Sequence, residues 1–316
     1  MSTGETELSR TTDHRGLKLS SIGFVLLLAL ALVWPAPVLW INEMTVDAPL
    51  AIDERAFLGR EAPQWDVVFW AIAGIYVLML FHAKTREVGM AWGEFVRDCR
   101  SFPKSVRAKW NGLRKGRAAL LGAISIAVVA AIWIFLDAPL IGIAEKAHSE
   151  GVRDVIRIFN RLGGGMNPLM IIVFFALAGM LFAHPRWSQM AIAMAAAAAG
   201  AGIMVQILKV IVGRTRPELW LGPFHHVFPS ASSFPSGHTV GAFAIAGVIL
   251  FSAAHAGLRL FALAVASAIA LSRVLTFRHW FSDVVAAAIL GLAFGWFFAT
   301  AVLQRDDREA TASDAR

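Results

Sequence analysis

The chain has 316 residues, 57% of them hydrophobic and only 16% charged, with a mean hydropathy of +0.62. Soluble globular domains carry about a quarter charged residues, so this composition excludes an ordinary soluble enzyme and assigns most of the surface to lipid. The net charge of +7 does not point to nucleic acid, because Lys and Arg gather between apolar stretches, not on one basic face. A single cysteine, Cys99, excludes an intramolecular disulfide and any cysteine-based metal cluster.

A bilayer crossing takes roughly 20 mostly apolar residues. In chain order such stretches fall at about 21–41, 65–81, 118–136, 168–183, 189–209, 239–254, 258–277 and 284–303. The polar segment to Ser20 leads into the first of them without a small-residue cleavage site, which predicts an uncleaved anchor. Orientation follows from the loops. Residues 83–117 hold ten Lys or Arg against three acids, whereas 42–64 hold two against five. Basic loops stay cytoplasmic, so 83–117 and both termini are expected inside. The span ends bearing Lys209, His238 and His279 are then expected at the outer, periplasmic face.

Flanking features have plainer readings. Trp34, Trp40, Trp65, Trp70, Trp92 and Trp110 sit mostly near span ends, as interfacial anchors do. Residues 152–161 place Val152, Val155, Ile156 and Phe159 on one helical face, with Arg153, Asp154, Arg157 and Arg161 elsewhere. That spacing predicts a helix lying in the outer interface, with a lid as its less expected use. The alanines at 195–199, with Gly200 and Gly202, predict close helix packing.

Three polar clusters interrupt the oily pattern: Lys209 to Arg216-Pro217, Pro235-Ser236-Gly237-His238, and Ser272-Arg273 through His279 to Asp283. Each alone is ordinary: a snorkelling lysine, a turn, an aspartate capping a helix. All three, however, end apolar stretches at one expected membrane face, and ionisable groups at membrane depth mark function by default. Lys209, Arg216 and Arg273 suit a phosphate carrying about two negative charges. Gly237 permits close backbone approach, and Ser236, Gly237 and His238 begin a span whose positive helix end favours an anion. His279 and Asp283 are four apart, one helical face if this stretch is helical. Asp283 then accepts one ring N–H and leaves the other nitrogen free to attack phosphorus. His238 is the better general acid for the leaving oxygen. With cations doing the electrostatic work, no metal or other cofactor is required.

Lys209-x6-Arg216-Pro217, Pro235-Ser236-Gly237-His238 and Ser272-Arg273-x5-His279-x3-Asp283 resemble the three-part signature of the type 2 phosphatidic acid phosphatases, or lipid phosphate phosphatases. The soluble vanadium haloperoxidases have a similar pattern, but the apolar spans favour a lipid substrate. The resemblance implies an all-α polytopic membrane bundle with a six-helix phosphatase core over 118–303. Residues 1–117 then form an extension with two additional transmembrane helices and a basic cytoplasmic loop, and 304–316 a cytoplasmic tail. It implies Lys209, Arg216, Arg273, Ser236 and Gly237 as phosphate contacts, His238 as acid, His279 as nucleophile and Asp283 as its orienting partner.

The expected reaction is removal of phosphate from a lipid phosphate or diphosphate, such as phosphatidate, phosphatidylglycerol phosphate, undecaprenyl diphosphate or lipid A, through a phosphohistidine. A lipid phosphotransferase using the same site is the nearest alternative. A non-catalytic lipid-binding or transport protein leaves the His279–Asp283 pairing without purpose. Arg214, Arg278, His225 and His226 fall outside the signature. Arg214 is a candidate contact for a second phosphate or headgroup, and His225-His226 reads as a solvated loop pair with no third metal ligand nearby.

Overall fold

Every predicted span within the described residues is a helix. The computed structural model describes residues 85–146, 150–164, 167–226 and 232–314, so the spans predicted at 21–41 and 65–81 lie outside them. In chain order the helices are α1 (Thr85–Asn111), α2 (Lys115–Phe135), α3 (Asp137–Lys146), α4 (Glu150–Gly163), α5 (Asn167–Leu181), α6 (Pro185–Val212), α7 (Gly237–Ser252), α8 (Ala256–Leu275) and α9 (Phe281–Asp314). A 3-10 turn, Pro217–Leu219, lies between α6 and α7. Among the described residues there is no strand, only an isolated bridge between Arg214 and His226. The architecture is an all-α, polytopic membrane bundle.

Helices α2, α6, α8 and the Phe281–Val302 part of α9 are long and apolar enough to cross a membrane; α5 and α7 are shorter apolar helices. These six take the spans predicted between 118 and 303. Boundaries shift by a few residues for local reasons. Pro185 opens α6 because the first helical position needs no N–H donor. Helix α9 runs on to Asp314, where the sequence suggested only a tail.

The chain divides into two units. In the first, the described residues are 85–95 and Leu177–Pro185. Here α5 stops in a left-handed cap: Ala183 has φ 47°, and the His184 N–H donates to the Gly179 carbonyl at 2.8 Å. The second unit, Val96–Ala176 with Arg186–Arg316, holds all three polar clusters.

The core of the second unit is built from small side chains. Met190, Met194, Ala197, Ala201 and Val205 form one buried stripe of α6 and pack with Val240, Ala244 and Val248 of α7, Ala266 of α8 and Ala287 of α9. The predicted small-residue run therefore does bury a face. Within it, a Cβ on Gly200 would stand 2.7 Å from the Phe294 ring, while Gly202 meets open space. The tightest approach lies elsewhere. A Cβ on Gly291 would be 2.7 Å from the Val240 carbonyl, and one on Gly295 would be 2.8 Å from the Gly247 Cα. Gly291 and Gly295 are four apart on α9, the small-xxx-small spacing that lets helix backbones touch. This crossing ties the helix carrying His238 to the helix carrying Asp283.

Helix α4 matches the predicted amphipathic segment. Ile156 is buried and Val155 and Ile158 are exposed, so the covered stripe is narrower than the sequence suggested. Its covered side packs along α8 and α7.

Candidate active site

The first cluster begins in the last turn of α6, where Lys209 Nζ donates to the Ser232 carbonyl at 2.7 Å. Gly213, with φ 58°, then turns the chain out of the helix. The turn is closed by the Thr215 N–H donating to the His225 carbonyl at 3.0 Å and by the Arg214–His226 bridge. His225 and His226 thus serve as loop closure. Arg216 precedes the 3-10 turn, with Nη1 at 3.5 Å from Glu218 Oε1. Its Nε is buried without a hydrogen-bond partner among the described residues.

Ser236 caps α7, accepting from the Thr239 hydroxyl at 2.9 Å and more loosely from its N–H at 3.4 Å. The hydroxyl is therefore engaged in starting the helix. Gly237 is exposed, and a Cβ there would meet nothing within 4 Å. His238 follows in the same turn. The end of α4 lies against it: a Cβ on Gly164 would stand 2.7 Å from His238 Nε2. Arg273, in the last turn of α8, donates through Nη1 to Asn160 Oδ1 of α4. The amphipathic helix is thus anchored beside the cluster, a closer association than an interfacial helix required.

His279 sits in the turn between α8 and α9, 4% exposed, with its N–H donating to the Arg273 carbonyl at 3.2 Å. Its Nδ1 lies 3.5 Å from Asp283 Oδ2 and 3.5 Å from Ser233 Oγ, which turns Nε2 away from the carboxylate. The pair does not share a continuous helix, because α9 starts only at Phe281. Instead Asp283 Oδ2 reaches back to accept the Trp280 N–H at 2.9 Å and the Ser233 hydroxyl. Burial pulls His279 down to about 4, although the Asp283 hydrogen bond and charge act in the opposite direction.

Behind this pair stands Arg214, which is fully buried and faces no open site. Its guanidinium donates to Asp283 Oδ1 at 2.6 Å, Ser282 Oγ at 2.7 Å, Asp137 Oδ2 at 2.6 Å and the Pro223 carbonyl at 3.0 Å. The Trp133 and Trp280 rings lie 4.1 and 5.1 Å from its carbon centre. The expectation of a second-phosphate or headgroup contact is therefore corrected, since every side of the fork is already engaged. Asp137 completes the network by accepting the Ser282 N–H at 2.8 Å and its hydroxyl at 2.5 Å.

The three clusters meet. Charges on Lys209, Arg216 and Arg273 bear on His238, and those on Lys209, Arg273 and Asp283 bear on His279. Asp137, Ser233 and Asn160 join the cluster without belonging to the sequence signature. For Asp137 there was a readable sign: a lone acid following an apolar run, two residues before a proline. Ser233 and Asn160 carried none.

Fold and cluster define a class: a helical membrane protein holding two histidines, a carboxylate and three cations together at helix ends. Residues 190–307 match the family model described as the PAP2 superfamily. Over this stretch the chain is similar to the type 2 phosphatidic acid phosphatases. It is similar to a lipid A 1-phosphatase of Porphyromonas gingivalis, 33% identical over 130 residues, covering 40% of this chain and 27% of that protein. A second lipid A 1-phosphatase, from Rhizobium johnstonii, is 38% identical over 109 residues, covering 31% and 40%. The chain thus spans less than half the length of these curated relatives.

Among solved structures, it is similar to a transmembrane PAP2 type phosphatidylglycerolphosphate phosphatase from Bacillus subtilis, at 25% identity and TM-score 0.46 over 60% of this chain and 96% of that one. It is also similar to LpxE of Aquifex aeolicus, at 24% identity and TM-score 0.44 over 52% and 94%.

Proposed function

We propose that this chain is a membrane phosphohydrolase that releases phosphate from a lipid phosphate or diphosphate through a phosphohistidine on His279. The observation that carries the reading is the meeting of Lys209, Arg216, Arg273, His238, His279 and Asp283 in one unit.

Lys209, Arg216 and Arg273 neutralise the bound phosphate and the charge that builds on its equatorial oxygens. The unpartnered Arg216 Nε is a donor awaiting an acceptor. Ser236 contributes by capping the helix that offers the N–H groups of Gly237 and His238 to the anion. Asp283 holds Nδ1, so His279 Nε2 attacks phosphorus as the bond to the lipid oxygen breaks. His238 gives that oxygen its proton. It then takes one from water, whose oxygen attacks the phosphohistidine and releases inorganic phosphate.

Arg214 and Asp137 act as positioning residues. They fix the second Asp283 oxygen, while the first faces the ring. The reaction as written needs no metal. The phosphatase core is assigned to 118–303, after an N-terminal extension over 1–117 and before a tail over 304–316. Both termini are assigned to the cytoplasm and the cluster to the periplasmic face of the inner membrane. Among lipid substrates, the likeness to lipid A 1-phosphatases adds weight to a lipid bearing a sugar phosphate.

The test is purified enzyme with chelator present, assayed for inorganic phosphate against a panel of lipid phosphates. His279→Ala should lower release by roughly a thousandfold or more, the scale seen when a nucleophile is removed. Wild-type enzyme should yield a phosphoenzyme stable to base and labile to acid. Near-normal turnover by the variant would overturn the assignment.

A further inference from the structure

We infer that the end of the bundle opposite the histidine cluster holds an anionic phospholipid in a groove between α1, α2 and α9. The groove encloses about 960 Å³ and is lined by Lys104 and Lys109 of α1, Arg114 and Arg117 at the start of α2, Leu121 of α2 and Trp296 of α9. Among the described residues, no carboxylate lines it.

Its place is fixed twice over. Arg117 stands near the start of α2 and Asp137 just past its end, and 21 helical residues rise about 31 Å. Along α9, Trp296 lies 13 residues beyond Asp283, about 20 Å. The groove and the histidine cluster are therefore separate sites, and the inference stands whether or not the proposed reaction is correct.

The chemistry of the walls selects the occupant. Four cations on one side call for an anionic headgroup, and Lys and Arg near a bilayer surface each attract such lipids measurably. The Lys109 ammonium lies 4.7 Å from the Trp296 ring centre, where a cation and an interfacial aromatic together frame a headgroup. Leu120, Leu121 and Ile124 are exposed along α2 immediately beyond the cations, a track for acyl chains. An acidic peptide would match the charges but not that apolar track, so the occupant is a glycerophospholipid of this leaflet.

Phosphatidylglycerol is a suitable probe, because its phosphodiester is not the monoester that the histidine cluster would cleave. Native mass spectrometry of the full-length protein should show tighter retention of phosphatidylglycerol than of phosphatidylcholine. Replacing Lys104, Lys109, Arg114 and Arg117 by Gln should weaken that retention by roughly tenfold or more, the scale of one or two lost headgroup contacts. A variant sparing Lys109 guards against a folding defect and should shift the same way. The control R97Q/R100Q/R107Q removes charge from α1 outside the groove and should leave binding within about twofold, as expected for side chains that touch no headgroup. Unchanged retention in the groove variants would overturn the inference. So would an equal loss in the control, or equal binding of phosphatidylcholine.

Discussion

The two ends of the bundle use the same residue types in opposite ways. At the histidine end, Arg214 is fully buried and shares its fork between Asp137 and Asp283, each at 2.6 Å. At the other end, Arg114 and Arg117 are exposed on the rim of an open groove whose described lining residues include no acid. A buried ion pair is poor evidence for stability, because desolvation costs about as much as the attraction returns. What such a pair gives is a fixed geometry. The histidine end therefore holds a ring and a carboxylate in one arrangement, while the groove end is proposed to take an anionic phospholipid headgroup.

The comparison breaks most sharply at Arg214. Arg214→Leu should lower stability by about 3–5 kcal/mol, the cost of leaving a buried charge unpaired, read as thermal unfolding of the purified protein. Phosphate release should fall with it. Adding Asp137→Leu should recover part of the stability and none of the activity. Recovery of both would reduce Arg214 to a packing element.

A smaller loss is expected at the helix crossing. Gly291→Ala places a methyl against the Val240 carbonyl, and such overpacking costs about 1–3 kcal/mol. Because that strain moves His238 relative to Asp283, kcat should drop at temperatures where the variant is still folded. A stability loss with unchanged kcat would detach the crossing from the site.

The pH profile sharpens the contrast further. His279, pulled down to about 4, is the free base above that value, so its nucleophilic form persists through mildly acidic conditions. The acid limb of kcat/KM should lie near pH 4. A limb near 6.5, the ordinary histidine value, would mean the ring is solvated in the working enzyme. At the groove end the effect on folding should nearly vanish. Lys104→Gln is expected to stay within about 0.5 kcal/mol of wild type, as exposed surface changes do.

Much of the candidate cluster was readable because the proposed chemistry demands fixed residue types at fixed spacings. Lys209, Arg216, His238, Arg273, His279 and Asp283 announce themselves through charge placed where apolar runs end. The spans were legible for the same reason: lipid forces long uninterrupted apolar helices. What escaped was long-range pairing. Asp137 lies 77 positions from Arg214, and Asn160 lies 113 from Arg273, and no local pattern links them. Spacing also misled about His279 and Asp283. Four residues suggested one helical face, but the helix begins between them, and their meeting depends on the Trp280 N–H and the Ser233 hydroxyl. Gly291 and Gly295 were legible in principle. The longer alanine run on α6 is the more conspicuous small-residue pattern.

Helix α2 has no buried residue along its length. It meets the polar network only at its far end, where the Trp133 indole N–H donates to the Pro223 carbonyl at 2.9 Å and Asp137 follows. Its midsection is apolar and exposed, a surface suited to hydrocarbon tails. Solubilisation in detergent therefore strips a working part from the protein, and the choice of amphiphile should set how firmly Asp137 grips Arg214, even for a water-soluble phosphate ester.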